Sequence, residues 1–290
     1  MPGVTAGNQT IAPDRFTQFA AIDWSGAKGS RHRGIAVAIC GAGGAAPVLV
    51  DPPAGLWSRR EVLDWLIERR DAPLLVGFDF SFSAPFAERG AHLPGEPATP
   101  NARALWAMVD VECDDADLGA ASFIDRRRGI HFYLGKADGV KADFLHYRVC
   151  ERAGKPSTVY DAIGAAQVAK ASFAGMRLLH QLNGRIPVWP FDPLPAKGAT
   201  IVEIYTAIAA RSAGMRKGLS KIRDADALDT ALAAVGSGPH ATLPRYDDHA
   251  TDAVLTAAWL RASFDRAELW HPEALTPEIA VTEGWTFGVT

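Results

Sequence analysis

Apolar runs separated by turn-rich polar stretches organise the first third of the chain. "FTQFAAIDWSG" reads as a strand, and "RGIAVAIC" and "APVLVDPP" follow across the connections "GAKGSRHRG" and "GAGGA". Connections this short predict antiparallel neighbours. In "SRREVLDWLIERR", Val62, Leu63, Leu66 and Ile67 recur at helical spacing, with Ser58 as N-cap and Glu61 three residues on. That helix leads into "APLLVGFDFSF", an almost wholly apolar strand of the kind covered on both faces of a sheet, parallel to an earlier strand because a crossover helix precedes it.

From Pro85 to Pro195 the pattern loosens. The stretch holds "NARALWAMVDVE", the basic cluster "DRRRGIHFY", the small-residue run "VYDAIGAAQVAKASFAGMRLLHQL" and the proline-rich "IPVWPFDPLP". A strand then returns in "ATIVEIYTAI", followed by helices in "ADALDTALAAV" and "YDDHATDAVLTAAWLRASF". The order predicts a single α/β domain over 1–290: an RNase H-like mixed five-stranded sheet with flanking helices and a large, mostly helical insertion at 86–195, after the fourth strand.

Composition narrows the function classes. A 290-residue chain that is 48% hydrophobic buries a core large enough to fold alone. Its net charge of -3 gives no global basic field, so an anionic substrate needs a local patch. Cys40, Cys113 and Cys150 are far apart, which argues against a structural zinc site and against a disulfide framework. The start is polar and no uncharged span is long enough for a bilayer, so the expectation is a soluble cytoplasmic protein without membrane attachment, frayed over its first dozen residues.

The chemistry gathers at strand ends. Three apolar runs finish alike: Ile22-Asp23-Trp24-Ser25, Phe78-Asp79-Phe80-Ser81 and Val202-Glu203-Ile204-Tyr205-Thr206. With those strands adjacent and parallel, the acids converge at the sheet edge where ligands of open α/β sheets gather. Carboxylates so close repel one another unless a proton or a cation intervenes, and hard oxygen donors without cysteine suit Mg²⁺ or Mn²⁺. In "DDHATDAV", Asp248, His249 and Asp252 share a helix face, so Asp23, Asp79 and Asp252 form the candidate metal set, with His249 as a ligand or proton carrier and Glu203 as the weakest member. A single strand-end acid is more often a turn former or cap, and Asp248 serves equally well as a first-turn acid favoured by the helix dipole. Ser25 and Lys28 in "WSGAKG" are candidate phosphate contacts, although an ordinary hairpin turn explains the motif as well. Ser81, two residues after Asp79, is grouped with them, and Arg126, Arg127 and Arg128 form a basic-aromatic patch that either holds a nucleic-acid strand or is a solvated face.

"IDWSGA", "GFDFSFS", a "GM" helix leading to "VWPFD", then "VEIYTA" and "DDHATDAV" resemble domain-of-unknown-function family 429, regarded as nucleases of RNase H-like fold, over Phe19 to Ala262. Within the wider superfamily the arrangement is similar to Holliday-junction resolvases, which implies roles for Asp23, Asp79, His249 and Asp252. Those enzymes carry Glu where this chain has Asp79, an arm shorter by about 1.5 Å. The leading expectation is a metal-dependent nuclease hydrolysing phosphodiester bonds by water attack. The insertion would cover the acidic edge and contact nucleic acid through the three arginines, Lys155 and Lys170. The alternatives are an ATP-using phosphotransferase of the actin and sugar-kinase type and a non-catalytic binding module.

Overall fold

Strand-forming runs and amphipathic helices assemble into one sheet covered on both sides. The computed structural model describes residue 12 and residues 14–163, 168–216 and 221–290. The frayed start expected for the first dozen residues lies, residue 12 apart, outside them. The elements in order are β1 (Gln18–Asp23), β2 (Ala36–Gly41), β3 (Val48–Leu49), α1 (Arg59–Glu68), β4 (Leu74–Asp79), α2 (Ala102–Glu112), α3 (Ala121–Arg126), α4 (Val168–Leu182), β5 (Val188–Trp189), β6 (Thr200–Glu203), α5 (Thr206–Ser212), α6 (Ala225–Ala234), α7 (Asp248–Ser263), α8 (Ala267–Trp270) and α9 (Pro277–Thr282). Helix α1 begins as its sequence dictates: Ser58 Oγ accepts from the Glu61 amide at 3.0 Å, and Glu61 Oε2 accepts from the Ser58 amide at 2.9 Å.

The fold is α/β, with the mixed sheet in the order β3-β2-β1-β4-β6-β5. β1 pairs antiparallel with β2 and β2 with β3, whereas β1-β4, β4-β6 and β6-β5 are parallel. The sheet therefore has six strands, not five. The extra one, β5, is a two-residue edge strand between Pro187 and Pro190, residues that cannot donate to a ladder and so hide it in the sequence. Because β5 falls inside 86–195, that stretch is not simply a helical insertion. Much of it outside α2, α3 and α4 is turn, with short 3₁₀ segments at Lys136–Asp138, Lys141–Phe144 and Val149–Glu151.

Alternation along the strands divides the core in two. Ala20 and Ile22 of β1 and Leu74, Val76 and Phe78 of β4 face the α1, α2 and α4 side; Phe19, Ala21 and Leu75 face the α7 side. Helix α7 lies across β1 and β2, and its Ala250, Ala253, Val254, Ala257 and Leu260 are all buried. Buried along most of its length between Ala253 and Leu260, it is a core helix that brings its polar first two turns to the sheet edge. Among the described residues no helix is long and apolar enough to cross a membrane.

Candidate functional site

Asp23 and Asp79 are the last residues of adjacent parallel strands and are register partners. Both follow the alternation onto the α7 face, where the first turns of that helix meet them. Asp247 caps α7 by accepting from the Ala250 amide at 3.0 Å, which fixes where the helix starts and therefore where His249 and Asp252 point. His249 Nδ1 lies 2.9 Å from Asp23 Oδ2. Asp79 Oδ2 accepts from the Thr206 hydroxyl at 3.1 Å, at the first residue of α5.

Burial outweighs hydrogen bonding in this group. Loss of solvent pushes the Asp23 carboxyl above the usual range, although the His249 hydrogen bond and charge oppose it. Asp79 is raised well above that range, first by burial and then by the charge of Asp23, with the Thr206 hydroxyl pulling the other way and Asp252 adding to the rise. Asp252 is pushed up to about 7 by burial and by the charges of Asp23 and Asp248. His249 moves up through its hydrogen bond to Asp23 despite partial burial. The three aspartates thus sense one another, and among the described residues His249 is the one cationic side chain bonded to them, with Lys221 acting on Asp252 from farther off. Among the described residues no three His, Cys, Asp or Glu side chains are already drawn together as a metal cage. The donor set nevertheless fits a hard divalent cation, since all three candidate ligands are carboxylate oxygens and their mutual repulsion is relieved by positive charge.

The loop after β1 is held from beneath. The fully buried Arg59 guanidinium donates to the Ser25 carbonyl at 2.7 and 3.0 Å and to the Ala27 carbonyl at 2.8 Å, and burial pushes it down to about 10. Trp24 Nε1 donates to the Ala171 carbonyl at 3.1 Å, and the loop backbone is so close to α4 that a Cβ on Gly26 would sit 2.2 Å from the Ala171 nitrogen. Gly34 keeps a second space open: a Cβ there would meet Ser25 Oγ at 3.1 Å and His249 Cε1 at 3.3 Å. Ser25 therefore borders the aspartate–histidine group. Lys28 points elsewhere, 3.7 Å from Asp125, beside a cleft of about 90 Å³ that Asp115 also lines, which disfavours a phosphate there.

Other expected contacts are not brought in. Glu203 pairs in register with Phe78, so it faces the opposite side of the sheet from Asp79. There it accepts from Arg148, from the Phe82 amide at 2.7 Å and from the Thr286 hydroxyl at 2.6 Å, which makes it a structural ion-pair partner set apart from the three aspartates. The three arginines form no free patch: Arg127, 9% exposed, is bound by Glu96 and Glu112, Arg128 by Asp138 at 2.5 Å, and Arg126 by the Glu112 carbonyl and Asp114. Asp248 is bound by Lys221 and Arg223. Ser81 is half-buried and its amide donates to Ser172 Oγ at 3.1 Å; Lys155 is exposed, and the Lys170 backbone packs beside Gly26. Thr206 and Arg59 escape a reading of the sequence. A strand-end acid followed two strands later by a threonine at a helix start is the only signal for the first, and nothing in "SRRE" marks Arg59 as a loop clamp.

Comparison with family models, with curated proteins and with solved structures gives no match to this chain.

Proposed function

We propose that this chain is a metal-dependent phosphodiesterase hydrolysing nucleic acid, with an RNase H-like sheet of the kind found in the family it resembles. The observation that carries the reading is the register pairing of Asp23 with Asp79 under the start of α7, where Asp252 and His249 complete a half-buried group that holds three carboxyls to one imidazole. Three antiparallel strands followed by parallel additions on the other side of β1 support the fold assignment. A Mg²⁺ or Mn²⁺ ion held by Asp23, Asp79 and Asp252 would activate water and neutralise charge on the phosphoryl group.

The protein's own side chains supply the rest. Asp23 orients the His249 ring through Nδ1 and holds it more basic than free imidazole, leaving Nε2 to donate a proton to the departing oxygen. Thr206 favours ionised Asp79, the state a cation requires. Ser25, fixed by Arg59 and standing across Gly34 from His249, is placed to contact the phosphate. The test is incubation with single-stranded, duplex, hybrid and branched nucleic acids plus Mg²⁺ or Mn²⁺. Cleavage is expected in the parent and lost in Asp23→Asn and Asp252→Asn; absence of metal-dependent cleavage of every substrate, or cleavage that survives both substitutions, ends this reading.

A further inference from the structure

A nuclease of this design faces an electrostatic problem. Its acids repel the polyanion they act on, and the protein as a whole is negative. The basic cluster at 126–128 offers no relief, because each of its arginines is bound to an acid or a carbonyl. A second basic stretch, between α5 and α6, is arranged differently.

Ile222 is buried in the core cluster that also holds the apolar side chains of α7, and its neighbours Lys221 and Arg223 are exposed. Their side chains are 66% and 52% exposed, and both reach the carboxylate of Asp248 in the first turn of α7. Two cations share one acid. The next residue, Asp224, is engaged at the N-cap of α6, accepting from the Ala227 amide at 2.9 Å, and Asp247 is bound by Arg245 at 2.5 Å. No residue outside the described segments is acidic, so none of them can supply a missing carboxylate. Asp248 is one helical turn from Asp252, and Lys221 is near enough to oppose the rise in the Asp252 carboxyl. The pair therefore stands at the rim of the aspartate group with its donors open to solvent and its charge only half neutralised.

We propose that Lys221 and Arg223 are the phosphate-binding element of this protein, seating the backbone of a nucleic-acid strand beside Asp252. This rests on the nuclease reading above. Asp248 holds the two side chains extended in the free protein, and a phosphate displaces or shares that carboxylate on binding. Arginine suits bidentate contact with a phosphate and lysine acts as a point charge.

Binding of a fluorescent oligothymidylate in EDTA, measured by anisotropy against salt concentration, isolates this step from catalysis. The double substitution Lys221→Ala/Arg223→Ala is expected to weaken binding about tenfold and to flatten the slope of log K against log salt by about 1.4, the loss of two contacts to a single strand. Asp248→Asn, which frees both cations, is expected to tighten binding, and a gain of affinity cannot come from misfolding. Arg126→Ala/Arg128→Ala removes the same charge elsewhere and should leave the slope at the parental value. Parental affinity and slope in the Lys221/Arg223 variant overturn the proposal while the nuclease reading stands. A parent that binds no oligonucleotide at low salt also overturns it, and if that parent cleaves nothing with Mg²⁺ or Mn²⁺ the nuclease reading falls as well.

Discussion

Two groups of acids, one fully buried and one half-buried, lie one register step apart at the carboxyl end of the sheet, on opposite faces, and they are built in opposite ways. On the α4 side, Glu203 meets Arg148, which also binds Glu151 at 2.8 Å, and the neighbouring Glu283 accepts from the amides of Phe86, Ala87 and Val149 at 2.7 to 2.8 Å. Burial alone would lower Arg148, but the attraction of Glu151 and Glu203 pushes it well above its ordinary range. On the α7 side, Asp23, Asp79 and Asp252 share one histidine and one hydroxyl. The first group is fully partnered and ties the loops after β4 to the C-terminal segment. Among the described residues the second is left short of positive charge, and its members are pushed toward holding protons. An acid at a strand end is therefore not informative alone; what distinguishes a site from a strut is whether the fold supplies its counter-charge.

The largest effect expected from this contrast is on the partnered side. Arg148→Met strands Glu203 and Glu151 in the interior without their cation, and removing one member of a buried ion pair costs about 3 to 5 kcal/mol. Urea unfolding should show that loss, with the variant partly unfolded near body temperature. A variant as stable as the parent would mean that Glu203 is no better anchored than the aspartates, and the contrast would collapse.

Asp252→Asn should do the reverse. In EDTA at pH 8 the parent carries an ionised Asp252 against its environment, and a rise from 3.8 to about 7 corresponds to a cost on the order of 2 to 4 kcal/mol once coupling to Asp23 is allowed for. The amide removes that cost, so the variant should melt about 3 to 7 °C higher than the parent. Activity should be lost while stability rises, the combination that marks a residue kept for function. A lower melting temperature in EDTA would assign Asp252 a structural role.

This contrast also marks where sequence reading ends. The capping box at Ser58 and Glu61, the apolar run of β4 and the matched endings at Asp23 and Asp79 are local signals, and each is realised as its residues dictate. Glu203 ends its strand in the same manner, but its side-chain face depends on a register with β4 that only pairing sets, and that register turns it away. The arginine cluster misleads for a related reason: Glu96, Glu112 and Asp138 neutralise it from positions up to 31 residues away. Lys221 and Arg223 are separated by an isoleucine and look unremarkable until burial of Ile222 orients both.

The next test is the pH dependence of stability without metal. Carboxyls whose folded values are raised contribute stability that is complete below their unfolded value, near 3.8, and that disappears as pH rises through the folded value. His249, also raised, acts in the same direction. Between about pH 5 and pH 7.5 the EDTA-treated parent should therefore lose stability relative to Asp252→Asn as pH increases, by roughly 2 kcal/mol or more, a difference that cancels the opposite slope of His92 and His131, both lowered by burial. Millimolar Mg²⁺ or Mn²⁺ should flatten the curve, because a cation replaces the lost protons. A flat metal-free difference between parent and Asp252→Asn across this range would place Asp252 in an environment as well compensated as that of Glu203.

The smallest effect sharpens the comparison at a single hydrogen bond. Among the described residues Thr206 Oγ1 is the sole side-chain donor to Asp79, whereas Glu203 receives Arg148, a hydroxyl and a backbone amide. The hydroxyl favours the ionised carboxylate, so Thr206→Val should raise Asp79 further and destabilise the protein only where Asp79 is charged. The cost should be about 1 to 2 kcal/mol at high pH, a hydrogen bond to a charged group in a partly accessible place, and should fade as pH falls and Asp79 takes up its proton. Because a cation must displace the Asp79 proton, the midpoint of Mn²⁺ binding should move to higher pH in the valine variant and return in Thr206→Ser, which restores the hydroxyl. Titrating Mn²⁺ affinity by calorimetry across pH separates this from loss of packing, which would lower affinity equally at every pH. An unmoved midpoint would mean that Asp79 does not hold the ion, leaving Asp23 and Asp252 as the metal pair and Asp79 as a neutral, protonated neighbour.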